Sequence, residues 1–199
     1  LSFKDGHRIV EIACIETKDL IATGNVFHRL INPERNIPEE AFKIHGFSEK
    51  FLSTKEKFDK IADDFLNFID GKKMIIHNAS FDLGFLNGEL KSLNKNTIDP
   101  KNVVDSLEIA RNKFPGISNS LDALCKRFNI DLSKRTKHNA LLDCQLLREV
   151  YINLLDVREP KFNLSTKDLE QNFVRNKNYN KRVVEISSNE INMHKGFLK

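Results

Sequence analysis

The chain has 199 residues, 40% of them hydrophobic, enough to bury one good core with at most a short appendage. Its 32 basic and 28 acidic side chains leave a net charge of +4, which suits a polyanionic partner without requiring one. Cys14, Cys125 and Cys144 lie far apart with no Cys-x-x-Cys spacing, and no apolar run approaches the ~20 residues of a membrane span. The sequence therefore predicts a reduced, cytoplasmic protein with no disulfide framework, zinc site, leader or membrane anchor.

In chain order, Asp5-Gly6 signals a turn, and the period-two run "HRIVEIACIE" (7–16) predicts a strand with Ile9, Glu11, Ala13 and Ile15 on one face. "LIATGNVFHRLIN" (20–32) predicts its antiparallel partner across a turn at Lys18-Asp19, ended by Pro33. Helices are predicted at 38–46, with Pro38 in the first turn and Gly46 at the end, and at 53–71, where Phe58, Ile61, Phe65 and Phe68 recur at helical spacing before Gly71. "KMIIHN" (73–78) reads as a buried strand of the same sheet, 80–93 as a helix and 102–106 as a further strand. Helical spacing then covers 107–114, 120–128 and 140–155. A hairpin followed by alternating helices and strands implies α/β architecture with a mixed sheet. Residues 157–182 are rich in Asn and Lys with few apolar anchors and predict a linker, and 183–199 predict a C-terminal tail helix. No internal repeat of 20–50 residues is present.

Two short stretches stand apart chemically. In "IIHNASFDLGFLN" (75–87), His77 and Asn78 fall where a strand gives way to a helix, the place where α/β sheets bind ligands, and Asp82 falls in the helix's first turn. Taken alone, Asp82 also fits a residue that complements the helix dipole, with Asn78 as its cap. "KRTKHNALLDC" (134–144) repeats the arrangement, with His138 before a helix and Asp143 inside it. Five residues on one helix lie about 140° apart beyond a full turn, so His138 and Asp143 converge only if His138 stands on the preceding loop; a surface histidine in a basic loop is the plainer reading. Two carboxylates on rigid elements with a nearby imidazole suit phosphoryl transfer through hard ions such as Mg²⁺ or Mn²⁺. Lys134, Arg135 and Lys137 suit either backbone phosphates or a solvated basic loop.

"GHRIVEI", "NPERNIPEEAFKIHGFSEKFL", "IIHNASFDLGFLN", "VVDSLEIARNKFPG", "SLDALCKRF" and "KRTKHNALLDCQLLREVY" resemble, in that order, the epsilon proofreading subunits of bacterial DNA polymerase III. The likeness spans nearly all of residues 6–151, and "VVEISSNEINMHKGFLK" is similar to a tail helix found after the nuclease domain in many members. The resemblance implies a ribonuclease H-like mixed sheet flanked by helices over an exonuclease domain at 1–156. It also implies 3′–5′ exonuclease activity of the DEDD class in its histidine variant, using two Mg²⁺ or Mn²⁺ ions. Position by position it implies metal ligands at Asp82 and Asp143, a general base at His138, a terminal-nucleotide pocket residue at His45, and supporting roles for His77, Asn78, Phe81 and Asp105. The implied partners are a single-stranded DNA 3′ end and the polymerase III catalytic (alpha) subunit.

The chain departs from the family in one place. The first motif, an Asp-x-Glu on a strand just before the turn at Asp5-Gly6, has no counterpart in "LSFKDGHR". The sequence therefore predicts a sheet without its first, central strand, in a fragment of a longer protein or in a degenerate copy that no longer catalyses. A catalytically inactive fragment that keeps only polymerase binding, and an RNA-trimming exonuclease of the same superfamily, are the competing readings.

Overall fold

The computed structural model describes residues 2–133 and 139–156, all within the first of the two units into which the chain divides, Leu1–Pro160. The predicted linker and tail helix lie outside the described residues, as does His138.

Strands β1 (Glu11–Lys18) and β2 (Ile21–Leu30) form the predicted antiparallel hairpin, in register from Glu11 opposite Leu30 to Lys18 opposite Ile21, with an irregularity between Ile15 and Thr17. The turn falls on Asp19 and Leu20, both with positive φ (51° and 67°), one residue later than the sequence signal. Positive φ at both central residues matches the twist of paired strands, although a leucine bears it at a steric cost. Helix α1 (Glu39–His45) ends where Gly46 adopts φ 76° and returns its amide to the Phe42 carbonyl. A four-residue helix, α2 (Glu49–Leu52), follows, with the Ser48 hydroxyl accepting from the Phe51 amide.

The predicted helix at 53–71 is shorter, because α3 (Phe58–Ile69) begins five residues late. Asn32 donates its amide to the Glu56 carbonyl, which draws residues 53–57 against the end of β2 instead of into the helix. From Phe58 onward the apolar spacing takes over, burying Phe58, Ile61 and Phe65 against Phe27 and Ile31. Each such side chain contributes roughly 1.5–3 kcal/mol on full burial.

Strand β3 (Met74–Ile76) pairs in parallel with β4 (Val103–Asp105), and α4 (Ala79–Ser92) forms the crossover. Helices α5 (Ser106–Lys113), α6 (Leu121–Arg127) and α7 (Ala140–Leu154) complete the described fold. A second apolar cluster joins Ala110, Leu124, Cys125, Leu146, Val150 and Leu154 on these three helices. The α/β class with antiparallel and parallel pairs is as read from the sequence, but "KMIIHN" does not join the hairpin's sheet. Among the described residues there are two separate two-stranded sheets, β1–β2 and β3–β4. No described helix is long and apolar enough to cross a membrane.

Helix α7 is fastened along β1 through one face. The Ala140 amide donates to Glu11 Oε2 (3.0 Å), the Cys144 thiol to the Ala13 carbonyl (3.2 Å) and Arg148 Nε to the Leu20 carbonyl (2.9 Å). Residues 140, 144 and 148 follow the four-residue step that keeps side chains on one helical face. The last of these contacts also holds the strained hairpin turn.

Candidate active site

The sides of β1 and β3 that are unpaired among the described residues meet one cavity of about 1740 Å³. Consecutive residues of both strands line it, His7 to Lys18 and Lys72 to Asn78. Because neighbouring residues of a strand face opposite ways, the cavity meets these strands edge-on. Its remaining walls come from α1, α3, α4, α5 and α7, from Leu121 of α6, and from the loops between Pro33 and Pro38 and between Pro115 and Ser120.

Six of the eight residues singled out in the sequence line this cavity: His45, His77, Asn78, Phe81, Asp82 and Asp143. Asp82 and Asp143 hold the same place in their helices, the fourth residue of α4 and of α7. Each follows an Asn-Ala pair at the helix start, 78–79 in one and 139–140 in the other. Burial pushes the Asp82 carboxyl up to about 6, with the nearby charge of Asp105 adding to the effect and its own backbone amide opposing it. A nearby cation relieves both raising causes.

Asp105 lies outside the cavity lining and acts from behind it. Its carboxylate accepts from the Asn78 amide (3.0 Å), the Ala79 amide (3.0 Å) and the Leu107 amide (2.9 Å), so one side chain fixes the starts of both α4 and α5. Asn78 therefore does not cap α4 as the sequence suggested. It sits at φ 69°, ψ 54° and its side chain makes no capping bond. In α7 the asparagine does cap the helix, with Asn139 extended and its side chain accepting from the Leu142 amide (3.0 Å).

His77 Nδ1 lies 2.9 Å from Ser106 Oγ, and that hydroxyl donates to the Ile76 carbonyl at 3.2 Å, which leaves its lone pairs to accept an Nδ1–H. Burial holds the imidazole below its usual pKa, against the opposing pull of the Asn119 main chain and Asp105. His45 Nδ1 accepts from the Phe47 amide (3.0 Å), and the His45, Phe47 and Phe51 rings stack in series at centroid distances of 5.3 and 5.9 Å. Phe81 is 47% exposed and rests against Phe85, leaving a free aromatic face on the rim.

Glu11, which with Glu16 is a first-strand carboxylate able to stand in for the absent motif, is not among the residues to which the resemblance gives a role. Its side chain is 7% exposed, with Oε1 2.8 Å from His28 Nε2 and Oε2 on the Ala140 amide. The signal was available in the strand pattern, where Glu11 is the one charge on a face otherwise made of Ile9, Ala13 and Ile15.

Two carboxylates at one cavity suit a hard divalent ion, which keeps several waters and takes one or two protein carboxylates together with substrate phosphates. Among the described residues no group of three or more His, Cys, Asp or Glu is placed to hold an ion. The chemistry open to the site is polarisation and positioning of a phosphate group beside an exposed aromatic rim.

A sequence profile described as "Exonuclease" matches residues 1–151. The chain is 45% identical over 204 residues to "DNA polymerase III subunit epsilon" of Rickettsia felis, covering 98% of this chain and 89% of that relative. Among solved structures it is similar to "Exonuclease X in complex with 5' overhanging duplex DNA", with TM-score 0.58 and 26% identity over 75% of this chain and 84% of that one. It also shares the fold of the nuclease domain of 3'hExo, "a DEDDh family member, bound to rAMP", with TM-score 0.62 and 12% identity over 75% of this chain and 81% of that one.

Proposed function

The chain belongs to the DNA polymerase III epsilon-subunit family of exonucleases, and from that premise we propose that it is a 3′–5′ exonuclease that trims single-stranded DNA ends as the proofreading subunit of a replicative polymerase, bound there to the catalytic (alpha) subunit. The observation that carries the reading is the arrival of Asp82 and Asp143, from two different helices, at one cavity, with Asp82 desolvated.

In this mechanism Asp82 and Asp143 hold divalent cations, Mg²⁺ or Mn²⁺, which when bound polarise the terminal phosphodiester and make water a stronger nucleophile at neutral pH. His138, just ahead of α7, accepts the proton of the attacking water. The His45, Phe47 and Phe51 stack and the Phe81 ring offer π-faces to the terminal bases, a mode of binding that tolerates any sequence. Asp105, His77 and Asn78 fix the strand end from which α4, and so Asp82, departs. Two hydrolytic products follow, a nucleoside monophosphate and a DNA strand shorter by one residue.

The test is release of nucleotide from a 3′-labelled single strand in Mg²⁺ or Mn²⁺. Asp82→Asn and Asp143→Asn are each expected to abolish most of the release. His138→Ala should slow it by roughly 10²–10⁴-fold while leaving Mn²⁺ binding intact. A form extended at its amino end by an Asp-x-Glu strand is expected to be faster. Release indifferent to all three substitutions would overturn the assignment of the site. Preference for RNA ends would favour RNA trimming, and an inert but polymerase-binding chain would favour the binding role alone.

A further inference from the structure

The starts of α4 and α7 present the same local sequence, Asn-Ala-x-x-Asp, and each is met from outside by a carboxylate. At α4 the amide of Ala79, the first helical residue, donates to Asp105 at 3.0 Å. At α7 the amide of Ala140, again the first helical residue, donates to Glu11 at 3.0 Å. Each carboxylate stands at the end of a strand, Asp105 closing β4 and Glu11 opening β1. In each helix the aspartate that faces the cavity comes three residues later.

From this correspondence we infer that Glu11 is a positioning residue: through the Ala140 amide it sets where α7 begins, and so where Asp143 stands at the cavity. The inference rests on the exonuclease reading above for what Asp143 does, but not for where Glu11 acts. Both oxygens of Glu11 are already engaged by the protein, one with His28 and the other with Ala140, which fits a residue that positions rather than one held ready for an ion. A carboxylate at the amino end of a helix also complements the positive pole there, so the contact orients the helix by charge as well as by hydrogen bond. The other two attachments of α7, through Cys144 and Arg148, lie further along the same face and leave the first turn to Glu11 and the Asn139 cap. A group that aims a ligand without touching the ion is expected to change metal affinity or turnover by about 10–100-fold when lost.

The experiment uses the full chain, with Mn²⁺ alone as the probe, read by electron paramagnetic resonance, alongside nucleotide release. Glu11→Ala should weaken Mn²⁺ binding and lower kcat by about 10–100-fold, with KM for the DNA strand unchanged. Glu11→Gln keeps an oxygen for the Ala140 amide and an amide for the other histidine tautomer, and should restore both values to within a few-fold of the parent. If Glu11→Ala fails to fold, Ala140→Pro removes the same contact from the other side. Proline is tolerated at a first helical position, and the extended Asn139 before it suits a following proline. It should reproduce the weaker Mn²⁺ binding with the helix intact. Unchanged Mn²⁺ affinity in Glu11→Ala or Ala140→Pro, with only the melting temperature lowered, would overturn the inference and leave Glu11 a packing residue. A parent chain that binds Mn²⁺ yet releases no nucleotide would count against the exonuclease reading alone, and the Mn²⁺ arm would still decide the role of Glu11.

Discussion

The entries to α4 and α7 share three letters of a five-residue pattern yet solve the same physical problem differently. The first amides of any helix lack intrahelical partners and must find acceptors elsewhere. At α7 the chain helps itself, with an extended Asn139 folding its own side chain back onto the Leu142 amide and Glu11 adding one external bond. At α4 the local residue contributes nothing by its side chain. Asn78 turns left-handed, and Asp105 of the neighbouring strand receives both entering amides and a third from α5. A local cap forms as soon as the helix does, whereas a borrowed cap exists only once β3 and β4 have paired. The α7 entry is therefore capped by nearby chain and only placed by a distant carboxylate, whereas the α4 entry takes its cap itself from tertiary structure.

If that contrast is right, removing Asp105 has the largest effect. Asp105→Ala strands three amides bonded to a charged acceptor and should cost about 3 kcal/mol, measured by urea unfolding, with Asp105→Asn losing roughly half of that. A loss below ~1 kcal/mol would mean that water replaces the carboxylate and that α4 does not depend on it. Exchanging the two asparagines tests the comparison by sign. Asn139→Ser keeps a capping oxygen and should be nearly neutral, whereas Asn78→Ser places a residue poorly suited to φ 69° and should cost about 1 kcal/mol. Asn78→Gly should recover that cost, while Asn139→Gly should lose only a few tenths. Equal responses at the two sites would erase the distinction.

The smallest effect expected is one of pH. His77, which leads into α4, has a folded pKa below its ordinary 6.5, chiefly through burial. Between that lowered value and 6.5 the unfolded chain binds more protons than the folded one, so stability contributed by His77 is full above 6.5 and is lost as pH falls through the folded value. Subtracting the His77→Gln profile from the parent's isolates this from the opposite slope due to Asp82, whose raised carboxyl lowers stability as pH climbs from 3.8 towards about 6. A difference profile that is flat, or that rises towards acid, would contradict the burial of a neutral imidazole.

The same contrast explains how much could be read from the sequence. The hairpin, α4 and α7 were legible because their signals are local: alternation across 7–16, helical spacing after 79 and 140, and turn residues at predictable places. Asp82, Asp143, His45, His77, Asn78 and Phe81 were legible as members of motifs, and they do share one cavity. Less accessible were features that a distant partner dictates. Residues 53–57 carry helical letters but are drawn off by the Asn32–Glu56 contact, and α2 is too short for periodicity to register. Asn78 reads as a cap by type, and only the position of Asp105, 27 residues on, shows why its side chain is not used. Glu11 carries a visible anomaly, a charge on an otherwise apolar face, but its second partner lies 129 residues away. The separation of the two sheets is likewise a matter of which strand edges meet, which no single strand's pattern reports.

The two apolar clusters, one behind the hairpin and one among α5, α6 and α7, have a practical consequence in the thiols they bury. Cys14 on β1 packs against the first apolar cluster and burial pushes its pKa up to about 11, while Cys125 is fully buried in the second. Since the thiolate is the species that alkylating reagents attack, neither thiol reacts at neutral pH at the rate of a free cysteine until its surroundings part. Alkylation rates at these two positions then serve as clocks for local opening, one in each cluster. Once the two rates are resolved, for instance by mass spectrometry of peptides, they report whether the hairpin side and the α5–α6–α7 side breathe together or independently.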